Sequence, residues 1–364
     1  MKKGGMTIGA GLLFCLLLSL TLGIGNQQLP YLAAKYGGSS GYLGFILAYV
    51  LIMLIVFVAL YFQKRYPKKS FIEYTQLVLG NVLGKILSCL FLSFILLLLV
   101  WAIRSTAETM DLYFLQRTPL WVIMVLFFLS ITYLALQGIE GITKTCAFFL
   151  PMAFIFMALI VFVSYQNFDF DKIKPVFHVH QGTFLSAIHL FSAFFPLSIL
   201  FIVLPFLTDI KRSQAISVKA TLLGTAILFF FIVASMGAYG AKGLLRYGWP
   251  TTELPRITNI PYLLQTFGFF YTVTWLSQMY IGAGACYYAA AQGFTLLFSR
   301  FNYKWFILIL WPPTFFLAWI LPGVIELRIF FDYFRIIGFI ILFILPLLLW
   351  VVDRSKPGRR DAYD

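Results

Sequence analysis

The sequence predicts an all-α integral membrane protein of ten transmembrane helices, arranged as two inverted repeats of five, with the first and sixth helices broken. Three observations predict it. Of 364 residues, 61% are hydrophobic and only 11% are charged, where a soluble domain carries about 25% charge. The mean hydropathy is +0.92. The apolar stretches run about 20 residues without strict alternation, which is helix length in a bilayer and not barrel patterning.

The spans read as 7–34, 40–62, 78–103, 119–137, 143–165, 184–208, 216–240, 264–292, 304–321 and 329–352. The connections are short, the two longest being Asn167 to Gln181 and Ala241 to Pro261. No soluble domain fits between them, so the chain reads as one transmembrane domain with repeats over about 7–165 and 184–352. The net charge of +14 belongs to short loops, not to a nucleic-acid stripe with interleaved aromatics. The larger share of the Lys and Arg lies on the side of the termini, as in Lys64, Arg65, Lys68 and Lys69 after span two and Arg354, Lys356, Arg359 and Arg360 after span ten. Arg104, Lys172, Arg335 and others count for the opposite side. The positive-inside bias therefore predicts both termini in the cytoplasm.

Span one is interrupted by Gly23-Ile24-Gly25-Asn26-Gln27-Gln28-Leu29-Pro30, and span six by Ser192-Ala193-Phe194-Phe195-Pro196. These are corresponding positions in two repeats of five, and such a matched pair points to a binding site near the bilayer midplane. Kinking alone is the plainer reading of Gly and Pro in a membrane helix, and the matching positions count against it. A helix broken there frees N–H groups and carbonyls that must face protein, water or a ligand. The N–H groups around Gly25 to Gln27 suit a carboxylate, and the carbonyls around Phe191 to Phe194 suit an ammonium. Asn26, Gln27 and Gln28 are polar at membrane depth, either to hydrogen-bond neighbouring helices or to contact a ligand.

Other polar residues read as structural. Arg104 and Glu108, spaced i and i+4, predict an ion pair, with Asp111 on the same face. Glu140 and Lys144 have the same spacing; Lys144 reads as a positive-inside anchor, with a proton-coupling lysine as the alternative. His178 and His180, near Asp169 and Asp171, lack diagnostic metal spacing, and no metal is expected. Cys15, Cys89, Cys146 and Cys286 read as unpaired small hydrophobes. Tyr287 and Tyr288 read as a packed aromatic pair, or as hydroxyls lining a cavity. Gly80-Asn81-Val82-Leu83-Gly84-Lys85 is one residue short of a P-loop, Gly282-Ala283-Gly284 follows no strand, and no catalytic motif occurs. An enzyme is not expected, and neither is a cofactor.

The first-helix Gly23-Ile24-Gly25-x-x-x-Leu29-Pro30 resembles the signature of the amino acid–polyamine–organocation superfamily. Three further stretches narrow the resemblance: Leu115-Gln116-Arg117-Thr118-Pro119-Leu120, Trp249-Pro250-Thr251-Thr252-Glu253-Leu254, and Tyr287-Tyr288-Ala289-Ala290-Ala291-Gln292-Gly293. With these the chain resembles, over nearly its whole length, the spore germination permease family, the B subunits of nutrient germinant receptors. Pro196 and Ser198 stand where members often carry a Gly and an acidic residue. The resemblance implies the LeuT-like five-plus-five fold, the spore inner membrane, and A-type and C-type subunits as partners. It implies a small nutrient, an amino acid, bound at Gly23, Ile24, Gly25 and Asn26 of span one and at Phe191, Phe194 and Phe195 of span six. Gln27 and Tyr287 complete the expected ligand set. A proton-coupled amino acid permease is the alternative function, and the scarcity of membrane-embedded carboxylates weighs toward the receptor.

Overall fold

The computed structural model describes residues 8–24, 26–207, 210–254, 264–298, 301–321 and 323–355. Each apolar stretch is a helix because a lipid-facing backbone must satisfy its own hydrogen bonds. Span one comprises Ala10–Leu22 and Leu29–Gly37, joined through a 3-10 turn at Asn26–Gln28. Its two halves are bent by 42°. Spans two to five are Leu43–Arg65, Asn81–Tyr113, Leu120–Leu136 and Gly138–Ser164. Span six begins as Gln181–Leu190, tightens into a 3-10 stretch at Phe191–Ile199 and ends at Leu200–Val203. Spans seven, eight and nine are Ile210–Leu244, Leu264–Phe298 and Tyr303–Ile320. Span ten runs from Val324–Phe339 through a π-helical turn at Ile340–Ile344 to Leu345–Ser355. Seven of these are long and apolar enough to cross a membrane singly, and the bent pair of span one makes an eighth. The 17-residue fourth span and the 35-residue eighth complete ten.

Several boundaries differ from the sequence expectation, each for a local reason. Span three continues past residue 103 to Tyr113 because the Arg104–Glu108 pair neutralises itself inside the helix, at 2.6 Å with both side chains nearly buried. A short helix precedes it, Phe71–Leu79, started by a capping box between Ser70 and Glu73, which satisfies two orphan N-terminal donors. In span six the α-helix breaks at Leu190 and gives way to the 3-10 stretch. Pro196 has no N–H, so the Ala193 carbonyl loses its i+3 donor, yet the stretch stays wound and every residue of Phe191–Ile199 is buried.

Spans one and six lie together at the core. The second half of span one, Leu29–Gly37, packs on the first half of span six, and the first half of span one, Ala10–Leu22, packs on the 3-10 stretch. At the start of span one the Ile8 N–H donates to the Phe206 carbonyl at 2.8 Å. Spans three, five, seven and eight enclose the pair. The outward surface carries exposed Phe57, Leu126, Phe154, Phe162 and Phe316, which is a lipid-facing composition. The end of span ten is anchored by Asp353, whose carboxylate accepts from Tyr61 at 2.9 Å and from Tyr66 at 2.6 Å.

Candidate ligand site at the broken helices

The site is built around the end of the first half of span one, Ala10–Leu22. Gly23 caps that half at φ −88, ψ −107. A Cβ here would lie 2.9 Å from the Gln278 carbonyl oxygen of span eight and 3.1 Å from that of Ser19. Glycine is required because span eight approaches the backbone directly. Ile24 is fully buried, and its side chain fills the space beside Gly282, where a Cβ would meet it at 3.0 Å. The Gly282-Ala283-Gly284 stretch is thus a close-packing surface for spans one and four, as small residues are in membrane bundles. Gly25, named among the ligand-binding residues and the first of the N–H groups expected around Gly25 to Gln27, lies outside the described residues.

Asn26, Gln27 and Gln28 are all buried, and they fan out from the 3-10 turn toward different neighbours. Asn26 Nδ2 donates back to the Leu22 carbonyl at 2.5 Å. Its Oδ1 has no partner, and the residue lines a cavity of about 10 Å³ with Leu29, Leu228, Phe231, Thr251 and Tyr271. That is room for about one water. Gln27 Nε2 donates to Thr109 of span three at 3.1 Å, while its carbonyl accepts from Thr251 at 3.1 Å. Gln27 Oε1 is unpartnered. Gln28 Oε1 accepts from Arg335 of span ten, and Gln28 Nε2 is unpartnered.

Thr251 sits on a short helix, Pro250–Glu253, that follows span seven. The helix is clamped over the break because Tyr113 donates to the Glu253 carboxylate at 2.7 Å and Tyr239 to the Glu253 carbonyl at 2.9 Å. The Trp249-Pro250-Thr251-Thr252-Glu253-Leu254 stretch therefore touches the site that its sequence position did not suggest.

The three expected phenylalanines of span six form an aromatic wall. The Phe194 ring stacks on Phe45 of span two, with centroids 5.6 Å apart. The Phe195 ring stands edge-on to Phe94 of span three at 5.1 Å and to Phe334 of span ten at 5.9 Å. Phe191 meets Phe339 at 5.1 Å. Tyr287 is not part of this group. It is fully buried in span eight, its hydroxyl donates to the Ile307 carbonyl of span nine, and its ring lies against Phe128 of span four.

Two residues that sequence reasoning passed over belong to the site. Gln278 is fully buried beside Gly23, and neither end of its amide has a hydrogen-bond partner. Arg335, counted with the outer loops by its charge, is only 1% exposed and lies inside span ten. An ionisable residue inside a membrane span is a functional candidate by default, and position 335 within the 329–352 stretch was that signal.

The remaining polar groups are structural in position. Lys144 and Glu140 pair at 2.7 Å on an exposed face. The His178 and His180 rings stack at 5.4 Å in the loop after span five, and Asp171 is engaged by Lys174 at 2.6 Å. That ammonium holds the Asp171 carboxyl below the usual carboxylate range. Cys15, Cys89, Cys146 and Cys286 are free thiols.

The profile of the family described as spore germination protein, the spore permease family, matches residues 7–323. The chain is 26% identical to spore germination protein B2 of Bacillus subtilis (strain 168), over 94% of each chain. It is 24% identical to spore germination protein A2 of the same organism over 92% of each, and 20% identical to spore germination protein GerQB of Bacillus cereus over 95% of each. Among solved structures it resembles MhsT in complex with L-phenylalanine, with a TM-score of 0.73 at 15% identity, covering 93% of this chain and 87% of that one. A Na+-coupled sialic acid symporter superposes with a TM-score of 0.68 at 15% identity, covering 94% and 80%. At that identity the likeness is one of fold, the ten-helix inverted repeat with a broken first helix. With the family profile spanning most of its length, the chain belongs to the spore germination permease family.

Proposed function

We propose that this protein is the B subunit of a nutrient germinant receptor. It binds a small nutrient, an amino acid, at the break of span one facing span six, and partner subunits of A-type and C-type read the change. The observation that carries this reading is the set of buried, unpartnered polar atoms around the break: Asn26 Oδ1, Gln27 Oε1, Gln28 Nε2 and both ends of the Gln278 amide. Leaving a buried polar atom unmade costs about 1–3 kcal/mol, and a ligand with donors and acceptors recovers that cost. Expected ligand contacts are Gly23, Ile24, Gly25, Asn26, Gln27, Phe191, Phe194 and Phe195. The protein resides in the spore inner membrane with both termini cytoplasmic, in keeping with the excess of Lys and Arg in the loops on the side of the termini.

A proton-coupled permease is the second reading, and the superposition on two transporter structures favours it. Against it stands the state of the carboxylates. Glu108 is paired with Arg104, Asp332 with Lys35 and Arg335, and Glu253 is held by Tyr113. Reconstitution of the purified chain in liposomes under a pH gradient separates the two. The receptor reading predicts solute binding without accumulation. Proton-driven uptake of an amino acid well above background would replace it with the transporter.

A further inference from the structure

Where the second half of span one meets span ten, the charges do not balance. Asp332 Oδ2 accepts from Lys35 Nζ at 2.6 Å, and Asp332 Oδ1 accepts from Arg335 Nη1 at 2.5 Å. Two cations share one carboxylate. His189 of span six reaches the cluster through Tyr36, whose ring it stacks on at 3.7 Å, and the Lys35 ammonium sits 4.9 Å from the same ring. Arg104 and Glu108 of span three neutralise each other. Within this trio of Lys35, Asp332 and Arg335 one positive charge is in surplus, beside a guanidinium that is 1% exposed.

Unused donors accompany that surplus. Arg335 Nε and Gln28 Nε2 have no partner, and neither has His189 Nδ1. Arg335 Nη2 already holds Gln28 Oε1, which leaves the Gln28 NH2 group as a buried donor with no partner. Lys35 and Asp332 keep 34% and 26% of their side chains exposed, so the cluster opens to the outer side. On its inner side the guanidinium rests on Phe331 at 4.5 Å, and Phe334 continues that face to Phe195. Phe191 and Phe339 extend it.

We infer that Arg335 and Gln28 form a receptor for a carboxylate, with the phenylalanine wall of spans six and ten taking an apolar substituent. Two coplanar oxygens match a planar guanidinium and an adjacent amide N–H better than a spherical ion does, and the aromatic wall suits an organic acid over a halide. The inference deepens the ligand-binding reading above and rests on it. The carboxylate end of the nutrient is thereby assigned to span ten, not to the backbone of span one.

The test uses the full chain in detergent, with phenylacetate as the carboxylate probe, phenylacetamide as its neutral isostere, and chloride. Phenylacetate raises the thermal midpoint saturably, and phenylacetamide does not. In Arg335→Gln, and in Gln28→Leu should the first variant fail to fold, phenylacetate binds about tenfold more weakly or less well still. Equal responses to the acid and the amide, wild-type affinity in the folded variants, or full displacement by chloride alone, marking an adventitious ion only, each overturn the assignment. The amino acid panel separates this from the wider reading. A panel response kept in Arg335→Gln and lost in Gly23→Val removes only the carboxylate receptor. No panel response in the wild type, with phenylacetate still binding, removes the nutrient-receptor reading and leaves the site.

Discussion

Gln278 and Gly23 make opposite demands on the same few ångströms. Gly23 must lack a side chain because the Gln278 carbonyl stands 2.9 Å from where a Cβ would be. Gly23→Val forces span eight away and is expected to cost about 1–3 kcal/mol, the range for overpacking, and to abolish the ligand response. Gln278 carries an amide whose two ends are unused. Replacing an unsatisfied buried polar group by an apolar one of similar shape is neutral or stabilising. Gln278→Leu should therefore keep or raise the midpoint of the ligand-free protein while shrinking the ligand-induced shift. A thermal melt with and without ligand reads both, and a fall in the ligand-free midpoint would mean that the amide is structural. The sequence could show that Asn26, Gln27 and Gln28 are polar at membrane depth. It had no means of showing that they fan out to spans three, seven and ten, since Gln28 meets Arg335 across 307 residues of chain. Gln278 was illegible for the same reason: a lone glutamine in a mixed stretch has no periodicity that marks it.

The helices themselves were largely legible, because the constraint on them is local. Hydropathy located the ten spans, and the Gly and Pro of span one marked the break that the structure contains. Span six was read from the same signals and came out wound as a 3-10 stretch. Its surroundings explain this, since Phe45, Phe94 and Phe334 pack the Phe194 and Phe195 rings from three spans. Ion pairs at i, i+4 were equally local, and burial decides their worth. Arg104→Ala strands Glu108 inside span three and should cost about 3–5 kcal/mol. Lys144→Ala, at an exposed pair, should leave the midpoint unchanged within error. Chemical or thermal unfolding in detergent compares the two, and equal losses would mean that Arg104 is better solvated than its burial indicates. Span ten adds a mechanical feature. A π-helical turn at Ile340–Ile344 separates the half that carries Asp332 and Arg335 from the half anchored through Asp353 to Tyr61 and Tyr66, and such turns recur at functional positions in helices.

Across the whole molecule, the proposed receptor role makes the enclosed parts of spans one and six the pair whose rearrangement partner subunits would sense. A ligand shifts that equilibrium only by its differential affinity for the two arrangements, about 5.5 kcal/mol to move from 1:99 to 99:1. Burial of polar atoms that lack partners is a state of higher energy, and a ligand that satisfies them has that energy to draw on. The inverted repeat was legible as a whole because the matched interruptions fell in spans one and six. Of the candidate site, the sequence marked the span-one break and the span-six phenylalanines, while the contributions of spans eight and ten required the fold.

The measurement that tests the central claim most directly is the thermal stability of the purified protein against a panel of amino acids, sugars and nucleosides, run beside Gly23→Val. A ligand of the native state adds about 2.7 kcal/mol at a hundred times its dissociation constant. The account predicts a saturable rise with one small amino acid that disappears in Gly23→Val, while the variant still unfolds cooperatively. A rise of equal size in both proteins would place the ligand away from the broken helix and contradict the account.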